Sequence, residues 1–216
     1  MKYRIDPAQL TLVTGPVYEP VSLADMKAHL RVDFTDDDDL ITAQIIEARA
    51  WMEKALNITM VEQTFDAILP CFFSTIEIPV LPLTSVVSIK YWSDDSPSTL
   101  ETLATTEESP VVSSGLYRVD LTRGQIYLAD GQVWPTTVPR HDAVTIRVTT
   151  GPVPTGSPIS AGTPAPLKAA LKLLVGDIYE NRETHTLMTT WGQGQTGIAI
   201  ENLPTANRLM RLYRNY

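Results

Sequence analysis

The sequence predicts an α+β fold. A helical scaffold, two N-terminal helices plus a long C-terminal helix, carries an inserted antiparallel β-region and an extended C-terminal tail. Three observations predict it. Apolar residues recur at steps of three and four over residues 20–56 and again over 167–179. Between roughly 61 and 150 the apolar period drops to two. Twelve of the 16 prolines fall between residues 70 and 166, which suits short strands with irregular connections. Four segments follow: an N-terminal extended stretch and helical pair (1–60), a β-rich insertion (61–150), a linker and long helix packing on the N-terminal helices (151–186), and a C-terminal tail for partner docking (187–216).

Residues 1–19 read as extended, because Pro7 and Pro16 prevent a long helix. The first helix follows. Ser22 is placed to cap it, with Asp25 three positions on, a capping-box arrangement. Val21 and Met26 have the spacing of a hydrophobic staple, and Leu23, Met26, Ala28 and Leu30 supply a short apolar stripe. The second helix opens in the aspartates of Val32-Asp33-Phe34-Thr35-Asp36-Asp37-Asp38-Asp39. Thr35 or Asp36 can accept hydrogen bonds from the free N–H groups of the first turn. The following carboxylates sit at the positive end of the helix dipole, worth about 0.3–1 kcal/mol each at best. Ile41, Ile45, Ala48, Met52 and Ala55 then form one helical face.

An aspartate run also invites a calcium reading, and spacing tests it. An EF-hand loop needs Gly at position 6 and a bidentate Glu at position 12. Counted from Asp33, those positions hold Asp38 and Gln44. The run therefore reads as a capped, solvated helix start.

In the β-region, Val87, Ile89 and Tyr91 alternate with Ser88 and Lys90, and Val144, Ile146 and Val148 alternate with Thr145 and Arg147. Ile76 and Ile78 make a shorter piece. Tyr117–Asp120 and Gln125–Leu128 flank Leu121-Thr122-Arg123-Gly124, a hairpin with Gly at the tight position. Ser93–Gly115 is polar and reads as a loop. Gly151–Pro166 is a linker by composition. It leads into a helix whose broad apolar face is Leu167, Ala170, Leu171, Leu174, Val175, Ile178 and Tyr179, with Pro166 in its first turn. The tail from Leu187 holds Trp191, Leu203, Leu209, Met210, Leu212 and Tyr213. These are too many apolar residues for a solvated terminus. They dock on this subunit or insert into another protein.

Composition narrows the function classes. No run approaches the length of a membrane span, and MKYRIDPAQL lacks the apolar core of a secretory signal. The lone Cys71, beside Phe72 and Phe73, cannot form an intrachain disulfide and reads as a small buried hydrophobe in a reducing compartment. The net charge is −8. Residues 61–165 carry 11 acidic and 5 basic side chains, whereas 166–216 carry 4 acidic and 6 basic. An acidic body does not grip nucleic acid by neutralising phosphates.

Catalytic patterns are sparse. His29, His141 and His185 lie in three separate segments, and G-x-S-x-G, H-E-x-x-H and C-x-x-C are all absent. Gly192-Gln-Gly194-Gln-Thr-Gly197 matches G-x-G-x-x-G formally. It lacks the preceding strand and the later acidic residue that a dinucleotide fold requires. No catalytic, metal or cofactor residue is expected.

The ordered segments resemble a known family. The opening Glu19-Pro-Val-Ser-Leu-Ala-Asp-Met-Lys-Ala-His-Leu-Arg-Val-Asp33, its acidic cluster and the Asp39–Ala50 helix resemble the start of tailed-phage head–tail connector (adaptor) proteins. So do Ile78-Pro-Val-Leu-Pro-Leu-Thr-Ser-Val-Val-Ser-Ile-Lys-Tyr91 and Val133-Trp-Pro135 ahead of His141-Asp142 and the Ala143–Val148 strand. Pro166-Leu-Lys-Ala-Ala-Leu-Lys-Leu-Leu-Val-Gly-Asp-Ile-Tyr-Glu-Asn-Arg-Glu183 and the closing Leu209-Met-Arg-Leu-Tyr-Arg214 complete the set. The resemblance implies a virion structural protein at the head–tail junction, made in the host cytoplasm. It implies a ring, commonly of twelve subunits, beneath the portal protein, extending the DNA channel and offering a surface to the tail, stopper or tail-terminator protein. DNA would pass without sequence-specific binding, and no membrane is involved. In that family the C-terminal segment inserts against the portal. Carried over, the portal contacts are Trp191, Leu203, Leu209, Met210, Leu212, Tyr213 and Arg214. Twelve copies at −8 would carry about −96, repelling DNA from a lumen they face. The aspartate run would then lie near the channel or at a subunit junction. A tail-completion or stopper ring is the alternative, and a small nucleotide- or metal-binding enzyme is a remote one.

Overall fold

The computed structural model describes residues 2–95, 97–103, 111–113, 115–152, 162–180, 204–211 and 213. It divides into two compact units, Met1–Val17 with Asn57–Ile159 and Tyr18–Leu56 with Ser160–Tyr216.

The first unit is built of strands. One sheet has the order β1 (Lys2–Arg4), β4 (Thr75–Glu77), β9 (Gln125–Leu128), β8 (Tyr117–Asp120) and β7 (Val111–Ser113). The other has β2 (Leu10–Thr14), β3 (Gln63–Leu69), β10 (Val144–Thr150), β5 (Leu83–Trp92) and β6 (Leu100–Leu103). All pairings are antiparallel except β1 with β4. Both sheets feed one apolar core: Ile76, Val119 and Ile126 from the first, Leu69, Ile89, Ile146 and Val148 from the second. Alternate residues are buried along β4, β8 and β10, as the period-two pattern demands.

The predicted hairpin forms as β8 and β9. The Asp120 carboxylate accepts the backbone N–H groups of Thr122 and Arg123, each at 3.0 Å, and Gly124 takes φ 63°. A β-carbon at Gly124 would lie 2.8 Å from a methyl of Leu81. Gly151, just past β10, is tighter still. Its φ is 95°, and a β-carbon there would collide with the Val61 carbonyl.

The α+β class holds, but the scaffold expected to organise it does not. Helices are few and the sheets are prominent. The C-terminal helix α3 (Ala165–Glu180) has 16 residues, fewer than the 19 of α2 (Asp38–Leu56). The physical reason is the amount of apolar surface that residues 1–17 and 57–150 bring to the sheets. The alternation expected for β5 also shifts. Ser88 pairs with Arg147 and Val86 with Val148, so Val87 is the extra residue of a β-bulge and points out, 46% exposed. Ser93–Gly115 is not wholly loop, since β6 and β7 fall within it and add an edge strand to each sheet. Cys71 is half-buried rather than enclosed.

In the second unit, α1 (Leu23–Leu30) starts as its sequence requires. The Ser22 hydroxyl accepts the Asp25 N–H at 3.1 Å, and Val21 and Met26 are both buried. Arg31 ends it in the left-handed conformation. In α2, Ile41, Ile45, Ala48 and Met52 are buried as expected, while Ala55 is exposed and Leu56 turns inward. In α3, Leu167, Ala170, Leu171, Leu174 and Val175 are buried, and Ile178 and Tyr179 are half-buried. Helices α1, α2 and α3 pack on one another, and α4 (Pro204–Arg211) packs on α3. Gly176 of α3 faces Leu30 and His29 of α1, and a β-carbon added there would meet both at ordinary contact distance, 3.8 and 3.9 Å.

Candidate functional site

The aspartate run works as a set of clasps between helices. The first helical hydrogen bond of α2 is accepted by the Asp37 carbonyl, so the cap lies one or two residues beyond Thr35 or Asp36. The Asp37 carboxylate accepts the Tyr179 hydroxyl of α3 at 2.6 Å. The Asp38 carboxylate accepts the Lys27 ammonium of α1 at 2.6 Å. Asp33, Asp36 and Asp39 remain exposed.

A second clasp ties the entry of the unit to α2. Arg49 donates to Glu19 and to Glu53, both at 2.7 Å, and its side chain is only 7% exposed. Burial alone would lower the Arg49 pKa. Its hydrogen bonds and attraction to Glu19 and Glu53 outweigh that, and the net shift is upward. Of these pairs, only Arg49 and Glu53 had a local spacing signal, four residues apart on one helix.

In the first unit two Arg–Asp pairs are each closed by two hydrogen bonds. Arg147 of β10 grips Asp66 of β3 through two hydrogen bonds of 2.7 Å. Arg140 grips Asp142 through hydrogen bonds of 2.6 and 2.7 Å and lies 4.5 Å over the Trp92 ring. The hydrogen bond from Arg140 holds the Asp142 carboxyl below its ordinary range. Trp134, from the Val133-Trp-Pro135 phrase, donates its indole N–H to the Phe73 carbonyl at 2.8 Å and stacks on Phe72. That phrase holds a turn in place.

Among the described residues no three His, Cys, Asp or Glu side chains are placed to hold a metal ion. His141 is 94% exposed beside Asp142, His29 is on the surface of α1, and His185 and the glycine motif lie outside the described residues. No helix among the described residues is long and apolar enough to cross a membrane.

The C-terminal residues divide. Trp191, Leu203, Leu212 and Arg214 lie outside the described residues. Met210 is buried, like Ala206, on the helix that packs against α3, whereas Leu209 and Tyr213 are half-buried. The outward face of α4 shows Thr205, Arg208 and Arg211. Met210 thus docks on its own subunit.

The segment holding both N-terminal helices also matches a known family. Residues 20–96 match the phage gp6-like head–tail connector proteins. The connector match takes in α1, α2 and strands β3 to β5. Solved structures extend the likeness along the chain. A chain in the virion of a native gene transfer agent particle superposes with TM-score 0.64 at 19% identity, over 96% of this chain and 95% of that one. A chain in the neck of an empty gene transfer agent particle, computed with C6 symmetry, gives 0.63 at 18%, over 96% and 95%. One in the native neck, computed with C12 symmetry, gives 0.61 at 19%, over 93% of each. At these identities the likeness is one of fold. No curated protein matches the connector-like chain.

Proposed function

We propose that this chain is a virion structural protein, a head–tail connector seated at the head–tail junction. The connector family match over residues 20–96 carries the reading. The fold shared with chains of gene transfer agent necks supports it, and their C6 and C12 symmetries favour a ring of repeated copies. The residue chemistry agrees. Several ionisable side chains, Lys27, Asp37, Asp38, Arg49, Asp66 and Arg147 among them, form clasps between structural elements, and the chain is acidic at −8. A ring of such copies extends a DNA channel whose walls repel phosphate.

The partners of the ring are the portal protein on the head side and a tail, stopper or tail-terminator protein on the other. The portal contacts are the C-terminal residues Trp191, Leu203, Leu209, Leu212, Tyr213 and Arg214, with Met210 fixing α4 in position. Leu209 and Tyr213 keep surface free for this. Pull-downs against portal and tail-tube proteins separately decide the side. Portal capture that falls when Leu209 and Tyr213 are changed to Glu is expected. Capture by the tail tube alone makes the chain a tail-completion ring instead.

A further inference from the structure

The helical unit carries opposite charges on different flanks. On one, the corner between α1 and α2 exposes Asp36 and Asp39 beside two large apolar side chains, Phe34 at 47% and Leu40 at 38% exposure. On another, α4 exposes Arg208 and Arg211. Among the described residues none of these four charges makes an ion pair. Elsewhere in the same unit Lys27, Asp38, Arg49 and Glu53 are all paired. Helix α4 packs on α3, with no comparable packing on α1 or α2 among the described residues.

We infer that the acidic, apolar corner at Phe34–Leu40 is the seat for the basic face of α4 from a second copy of this chain. The partner's chemistry follows from the charges. Copies at −8 repel one another except where a contact joins opposite signs. Arg208 and Arg211, one turn apart on a helix, present two guanidinium groups that match carboxylates at the spacing of a helix start. Phe34 and Leu40 add the apolar centre that such a contact buries. The contact is heterologous, because two different patches meet. Repeated around an axis it closes a ring. The inference rests on the connector reading for the ring, but not for the contact itself.

The test uses the full chain and its charge-reversed forms, followed by sedimentation velocity in low and high salt. Wild type should self-associate at low salt and dissociate as salt screens the contact. Asp36→Lys with Asp39→Lys, and separately Arg208→Glu with Arg211→Glu, should each weaken association roughly tenfold or more. The chain carrying all four changes should regain it, which also shows that the variants fold. A wild type that stays monomeric up to its solubility limit overturns the inference. So do paired variants that associate like wild type, or a four-fold variant no better than the weaker pair. Any of those results leaves portal capture, and with it the connector reading, standing.

Discussion

Tyr91 shows how the sheets use polar groups. Its ring lies in the β core, 7% exposed, and its hydroxyl donates to Glu101 of β6 at 2.6 Å. The hydrogen bond to Glu101 first, then burial, pushes its pKa up from 10.0 to about 12. A group whose folded pKa is raised gives stability that is complete below its unfolded pKa and is lost as pH rises through the folded one. The window is therefore about pH 10 to 12. The ultraviolet titration of wild type minus that of Tyr91→Phe should isolate one phenol ionising near 12. A difference curve centred near 10 would mean that Glu101 does not hold this proton.

At the scale of elements, the helical unit is held by side chains far apart in sequence. Tyr179 and Asp37 are 142 residues apart, and their bond joins α3 to the first turn of α2. A hydrogen bond to a half-buried carboxylate is worth about 1–2 kcal/mol. Tyr179→Phe should lower unfolding stability by that order in urea, and the loss should shrink when Asp37 is already Asn. Equal losses in both backgrounds would sever the clasp from the account. This pair also marks the limit of sequence reading. Ser22, the β8–β9 hairpin and the buried faces of α2 and α3 were legible, because caps, turns and periodicity are local, whereas of the stripe expected on α1 only Met26 is buried and Ala28 is exposed. Val87 was misread because a bulge inserts one residue and leaves no trace in composition. The strand β3 carries only Ala67 and Leu69 as fully buried apolar residues beside Gln63, too faint an alternation to single out. Strands β6 and β7 hid in a polar stretch because edge strands need little apolar surface. The aspartates were rightly read as a helix start. Their partners Lys27 and Tyr179 were not legible, because only the folded chain brings them together.

At the scale of the whole molecule, the described chemistry is structural. Carboxylates face guanidinium, ammonium and phenol groups across elements, and the surplus acid stays on the surface. That charge plan agrees with the proposed connector, because an acidic body does not grip nucleic acid by neutralising phosphates. The connector match covers the first helices and early strands, and the similarity of fold covers nearly the whole chain. Imaging the chain on its portal tests the ring. Purified chain is mixed with its portal protein and imaged by electron cryomicroscopy. The account predicts a closed ring of repeated copies of this chain stacked coaxially on the portal, with the channel continuous through both. Portal particles bare of this chain, or decorated by scattered single copies without a ring, would contradict it.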